Sequence, residues 1–146
     1  MSFEGLMVSV SGVRGRVGEA LTPEIACQFA AAFGAFSIGR STSNVIIVGR
    51  DSRVSGPMFH RAVVSALQSV GANVLDIGMA PTPTVQMAVE HHHAAGGLAI
   101  TASHNPVEWN ALKFIGSSGL FLDHAEGAQM RAFLESRIPR ATWDKL

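Results

Sequence analysis

Gly96-Gly97-Leu98-Ala99-Ile100 runs directly into Thr101-Ala102-Ser103-His104-Asn105-Pro106, and the topology of the whole chain follows from what this junction is. A short apolar run opened by two glycines and closed by polar residues and a proline reads as a buried strand emptying into a loop. In an open α/β sheet the carboxyl ends of the strands are where ligands bind. Here a hydroxyl, an imidazole and an amide reach that edge together. Pro106 has no N–H to give to a ladder and biases Asn105 away from helix, so the segment is held as a turn. Ser103 is the first candidate for chemistry. Taken alone, a loop of this kind more often caps its own backbone while its histidine stays solvated, so the rest of the chain has to shift the odds.

Upstream, the same alternation of short apolar runs and helical periodicity repeats. Thr22-Pro23-Glu24 offers a hydroxyl N-cap, a proline at the first helical position and an acid in the first turn. Ile25, Phe29, Ala32, Phe33 and Phe36 then recur at helical spacing, until Gly39 ends the helix. Residues 45–48 form an all-apolar β-branched run, expected of a strand covered on both faces. It leads into Gly49-Arg50-Asp51-Ser52-Arg53, then a helix from about Met58 to Val70, a strand over 73–77, and a helix opened by Pro81-Thr82-Pro83-Thr84. Arg50, Asp51 and Arg53 either clamp an anion or pair among themselves. The structural pair is favoured, because Asp51 lies between two guanidinium groups and satisfies one of them.

His91, His92 and His93 point to different sides of a helix and cannot all serve one metal, so they read as a polar helix end. Residues 5–10 read as a first strand. Ser11-Gly12-Val13-Arg14-Gly15-Arg16-Val17-Gly18 reads as a permissive loop whose arginines suit a phosphate or carboxylate, or simply a solvated turn. The glycine spacing is not the dinucleotide fingerprint.

Downstream of Pro106, residues 107–116 and 120–122 flank Ser117-Ser118-Gly119, a hairpin signal. Lys113 is a cation in an otherwise apolar strand, either snorkelling at a sheet edge or working. Asp123 caps a last helix to about Ser136, Pro139 stops it, and residues 140–146 read as a frayed end or the start of a linker. The order βαβαβαβ with a closing hairpin predicts an α/β fold: a three-layer, doubly wound mixed sheet, mostly parallel with a C-terminal antiparallel hairpin. One domain, residues 1–146, is expected.

Composition narrows the function. The chain is 47% apolar and 15% charged, which leaves room for faces that pack against something else. Eleven basic and eleven acidic residues cancel, so neither nucleic acid nor a membrane is expected as a partner. Cys27, the one cysteine, excludes an internal disulfide framework and sits in an apolar helical stretch as a small buried thiol. The first residues lack a leader-like segment and no apolar run is long enough to span a bilayer, so a cytoplasmic location is the expectation.

Four segments in order, Ser11-Gly12-Val13-Arg14-Gly15, Gly49-Arg50-Asp51-Ser52-Arg53, Pro81-Thr82-Pro83-Thr84, and the Ser103 loop followed by Trp109-Asn110-Ala111-Leu112-Lys113, resemble domain I of the α-D-phosphohexomutases. That superfamily contains phosphoglucomutase, phosphomannomutase and phosphoglucosamine mutase. Each motif is weak alone; the set, spread over nearly the whole chain, is specific. The resemblance implies a phosphoserine enzyme that interconverts hexose 1-phosphate and hexose 6-phosphate through a hexose 1,6-bisphosphate. It makes Ser103 the phosphoryl carrier, and His104 a substrate contact. Arg14 and Lys113 become substrate-binding groups that support proton transfer at the sugar hydroxyl, with Lys113 as general acid or base. A lysine in an apolar strand near Arg14 loses proton affinity through desolvation and like charge, which suits a base near neutrality.

The resemblance further implies Mg²⁺, with Ser103 ligating through a phosphate oxygen and the carboxylates belonging to domain II. Domains II–IV of the family are absent from this chain. The chain therefore reads as a domain of a larger phosphohexomutase that works with the remaining domains and has no turnover alone. Where the family usually has Asn-Gly this chain has Asn110-Ala111, and alanine would be strained if the position needed a positive φ. The alternative function is a non-catalytic sugar-phosphate or anion-binding domain, against which a phosphorylatable serine weighs. A serine hydrolase is less favoured still, since Ser103 lacks the glycine-flanked nucleophile elbow.

Overall fold

The computed structural model describes residues 4–146. Residues 1–3, which open the stretch read above as lacking a leader, lie outside the described residues. Six strands make one sheet in the order β1-β2-β6-β5-β3-β4, where β1 is Met7–Ser9, β2 Gly12–Arg16, β3 Val45–Arg50, β4 Asn73–Met79, β5 Gly96–Ile100 and β6 Trp109–Gly116. The helices are α1 (Pro23–Ile38), α2 (Gly56–Gln68), α3 (Thr82–His91) and α4 (His124–Glu135). Among the described residues no helix is long and apolar enough to cross a membrane.

The local signals act where the sequence places them. Thr22 Oγ1 accepts from the Ile25 N–H at 3.4 Å, ahead of Pro23 in the first turn of α1. Asp123 and Glu126 cap α4 reciprocally, each side chain accepting from the other's backbone N–H. Such a box contributes about 1 kcal/mol to an otherwise exposed helix.

Alternation along the strands sorts their side chains into two cores. Ile46, Val48, Leu98, Ile100, Leu112 and Phe114 face α1, α2 and α4, with the Phe33 and Phe114 rings stacked 5.1 Å apart. Ile47, Ala99 and Ile115 face Val85 and Val89 of α3. Gly97 lets α3 sit close, since a Cβ there would lie 2.6 Å from Val89 Cγ2. Three helices thus cover one face, and only α3 covers the other, over β3, β5 and the end of β6. The part of that second face formed by β1, β2 and the Lys113 stretch of β6 stays open, while Ile115 at the far end of β6 lies under α3.

The three-layer α/β class with a mixed sheet is as expected, but its balance is not. Only β3–β4 and β3–β5 are parallel, while β1–β2, β2–β6 and β5–β6 are antiparallel. The segment read as a glycine-rich loop contains strand β2, and Gly12 serves its contact with β6. The expected second arm of the C-terminal hairpin is a single bridge, Ile115 to Phe121, because Asp123 caps α4 almost at once. Nor do residues 140–146 fray. The Ala141 N–H bonds to Ser69 O at 3.0 Å and Arg140 Nη1 to Ser69 Oγ at 2.7 Å, tying the segment to the end of α2.

The β2–β6 contact carries a prediction. A Cβ on Gly12 would lie 2.7 Å from the backbone oxygen of Leu112, and backbone cannot swing aside as a side chain can. Gly12→Ala should therefore destabilise the fold by about 2 kcal/mol, the usual scale of overpacking. A urea unfolding midpoint equal to that of the unaltered chain would show that the ladder has slack.

Candidate active site

The β5–β6 loop begins as a continuation of the sheet, with the Thr101 N–H bonded to Ala111 O at 3.0 Å. It then turns sharply. Thr101 Oγ1 accepts from the Ser103 N–H at 3.0 Å, and Ala102 O accepts from the Asn105 N–H at 3.0 Å. Ser103 is left exposed with a φ of 53°. A non-glycine residue in the left-handed region costs roughly 1–2 kcal/mol and persists only where its surroundings hold it.

What holds it is Arg53, fifty residues earlier in the sequence. Its Nη2 donates to the carbonyls of Ser103 (2.9 Å) and Asn105 (2.7 Å), and its Nη1 to those of Pro106 (2.7 Å) and Trp109 (3.0 Å). Its Nε donates to Asp51 Oδ2 at 3.2 Å, while Asp51 Oδ1 accepts the Arg53 backbone N–H at 3.0 Å. All five guanidinium N–H groups are engaged, and the side chain is 11% exposed. Bonds from a charged donor contribute about 1.5–3 kcal/mol each, so this clamp outweighs the strain at Ser103. The expected Asp51–Arg53 pair is present. Its reach to the Ser103 loop is the part that sequence reasoning missed.

Lys113 comes from the open face of β6, paired with Gly12 on one side and Ala99 on the other. Its Nζ donates to Ser103 Oγ at 2.5 Å. Burial lowers its proton affinity below the usual lysine value of 10.5; nearby Arg14 pushes the same way, against Asp51. Arg14 of β2 pairs with Ala111 of β6 and so faces the same side as Lys113. Arg14 and Lys113 line a cavity of about 390 Å³ over the open half of the sheet. Ser103 and Lys113 line a larger neighbouring cleft of about 940 Å³, walled by Pro81 and Pro83 of the Pro-Thr-Pro-Thr motif. Phe121 and Lys113 border both. The structure therefore brings Ser103, Lys113 and Arg14 to one face, whereas His104 stands exposed on the loop and lines neither cavity.

Ala111 is ordinary strand: the non-glycine residues with positive φ among those described are His93 and Ser103. No strain arises from the departure at Asn110-Ala111. Asn110 is fully buried, accepting the Ala111 N–H at 2.8 Å and donating to Ser55 Oγ at 2.9 Å. That link between β6 and the start of α2 joins residues 55 apart, which no local pattern reveals.

Among the described residues no three His, Cys, Asp or Glu side chains gather as a metal site. Asp51, the carboxylate that lines the cleft with Ser103, is committed to Arg53. Magnesium prefers octahedral oxygen ligation, and this donor set does not provide it. The three histidines are exposed at the end of α3, the His91 and His92 rings edge to face at 4.8 Å. Cys27 is half-buried and donates to Ala62 O at 3.4 Å; burial raises its pKa, and it serves packing.

Residues 6–139 match the family described as phosphoglucomutase/phosphomannomutase, alpha/beta/alpha domain I. A phosphoglucomutase/phosphomannomutase of Thermococcus kodakarensis is 41% identical over 145 residues, covering 97% of this chain and 32% of the relative. A phosphoglucosamine mutase of Campylobacter hominis is 42% identical over 124 residues, covering 85% of this chain and 28% of the relative. The crystal structure of a Thermus thermophilus protein assigned as a phosphomannomutase superposes with a TM-score of 0.82 at 29% identity, over 97% of this chain and 33% of the other. The chain spans about a third of the length of these relatives.

The Lys113 environment makes a testable statement about pH. Folding lowers its proton affinity, so between that lowered value and 10.5 the unfolded chain holds the extra proton, and stability rises with pH wherever that is so. The penalty of burying the ammonium is full below the lowered value and fades as pH approaches 10.5. Urea unfolding from neutral to alkaline pH should show the protein gaining stability relative to Lys113→Met through that window. Parallel pH profiles for the two would refute the shift.

Proposed function

The chain belongs to the phosphoglucomutase/phosphomannomutase family, matching its domain I, and from that premise we propose that it carries the phosphoserine step of a phosphohexomutase. Ser103 Oγ attacks a phosphorus of a hexose 1,6-bisphosphate. The new O–P bond forms as the bond from phosphorus to the sugar oxygen breaks. Lys113, as the neutral amine, takes the Oγ proton, and the resulting ammonium returns a proton to the departing sugar oxygen. In the opposite direction phosphoserine gives its phosphoryl group to a hydroxyl of a hexose monophosphate, so that 1- and 6-phosphates interconvert.

The observation that carries this reading is the 2.5 Å bond between Lys113 Nζ and Ser103 Oγ. A nucleophile in hydrogen-bond reach of a base whose proton affinity is lowered is the arrangement nucleophilic catalysis needs. It moves the first role of Lys113 from the sugar hydroxyl to the serine oxygen. Arg14 supplies a cation for substrate oxygens beside Lys113, where charge stabilisation does most of the work of phosphoryl transfer. His104 is free to meet the sugar from the loop tip. A pure sugar-phosphate binder has no use for a lysine held against a serine hydroxyl.

The remaining domains of the enzyme belong to the same proposal. They supply the carboxylates for Mg²⁺, which takes one oxygen of phosphorylated Ser103, and the chain alone has no mutase turnover. A cytoplasmic setting is proposed with it, compatible with the balanced charge and the lone cysteine.

Intact-mass spectrometry before and after incubation with glucose 1,6-bisphosphate tests the assignment. A phosphate-sized gain is expected in the full-length protein, absent in Ser103→Ala. Lys113→Met should slow it by about 10²–10⁴, the usual worth of general acid–base catalysis. No gain in the full-length protein would sink the phosphoserine mechanism.

A further inference from the structure

We propose that Arg53 is a positioning residue for phosphoryl transfer at Ser103, an inference that rests on the phosphoserine reading above. Arg53 lies outside the residues to which that reading gives chemistry. Arg53 borders the larger cleft, but its guanidinium N–H groups are spent on Asp51, on three carbonyls of the Ser103 loop and on the carbonyl of Trp109 at the start of β6.

The first consequence of this geometry is electrostatic. A serine that receives a phosphoryl group gains most of two negative charges. The nearest backbone oxygens would repel them. Here the carbonyls of Ser103, Asn105, Pro106 and Trp109 are all turned onto one cation. In a planar trans peptide the N–H points opposite the C=O. The His104 N–H, which shares a peptide with the Ser103 carbonyl, is therefore aimed away from Arg53. The clamp gathers these negative dipole ends onto Arg53 and leaves the His104 N–H turned away from it.

The second consequence is positional. Ser103 sits at a φ of 53° with its Oγ within reach of Lys113. Without Arg53 that geometry is left to the bonds of the Ser103, Asn105 and Trp109 N–H groups, to the bond from Val17 N–H to Glu108 O and to Lys113, none of which fixes the Ser103 or Asn105 carbonyl. Catalytic groups displaced by about 1 Å lose on the order of 10² in rate. A lysine at position 53 keeps the charge and can still meet Asp51. It has three donors on one nitrogen and cannot span the four carbonyls that a planar five-donor fork reaches.

The test compares Arg53→Lys with the unaltered full-length protein in two measurements. Phosphorylation of Ser103 by glucose 1,6-bisphosphate, followed by intact mass, should slow by about 100-fold with the half-saturating concentration unchanged. Amide hydrogen exchange at Ser103 and Asn105 should accelerate while amides of β3 and β5 keep their protection. In Arg53→Ala, added guanidinium ion should restore part of the rate. Phosphorylation of Arg53→Lys at the unaltered rate would overturn the inference. So would acceleration of exchange across the whole sheet in both variants, which would mark a merely structural role. If the unaltered protein takes no phosphate, the phosphoserine reading fails in that arm, before any variant is compared, and this inference falls with it.

Discussion

Strand β6 is held between two antiparallel neighbours, and its register fixes everything that meets at the site. Pairing Lys113 with Ala99 on one side and Gly12 on the other sends Lys113 to the open face and Leu112 and Phe114 to the helix-packed face. Because the side-chain period is two, a slip of one residue would bury the ammonium in the main core and expose Leu112. The cost of that exchange is several kcal/mol, from both the buried charge and the lost apolar burial. A cation can therefore stand one residue from the centre of the core without any ambiguity about where it points.

Opposing charge demands are met by separation rather than by neutral surroundings. Lys113 and Arg14 share the open face of the sheet, where the guanidinium adds to burial in weakening the lysine's hold on its proton. Arg53 borders the larger cleft with its charge divided between Asp51 and four carbonyls. The protein has no net charge, yet three cations border the cleft system, and one of them, Arg53, is consumed as scaffold. Counting arginines near a loop would have overstated its capacity for anions.

The elements most legible in the sequence were those set by near-neighbour physics. The Thr22 cap, the apolar face of α1, the β-branched run of β3 and the glycine-opened β5 each announce themselves within a few residues. The Asp51–Arg53 pair and the candidacy of Ser103 and Lys113 were legible for the same reason. Strand β2 was not, because three glycines in eight residues carry no alternation for a period-two reading to find. Its place beside β6 comes from close backbone approach, which small residues permit and sequence does not display. That one strand tipped the sheet from mostly parallel to mostly antiparallel pairing. The Arg53 clamp and the Asn110–Ser55 bond join residues about fifty positions apart, a distance over which no local pattern speaks.

The half of the sheet that α3 leaves uncovered has a kinetic meaning. On the proposed phosphoserine reading, a phosphoryl group on Ser103 would have two acceptors competing for it, a sugar hydroxyl and the solvent, and water at its bulk concentration outnumbers any metabolite. Nothing in the loop chemistry favours one oxygen nucleophile over the other. On that reading the choice would fall to whatever fills the space above β6 and β2 at the moment of transfer, which would make fidelity a matter of occupancy. A phosphorylated form resting with that face wet would leak its charge to water slowly, and one resting with it occupied would keep it.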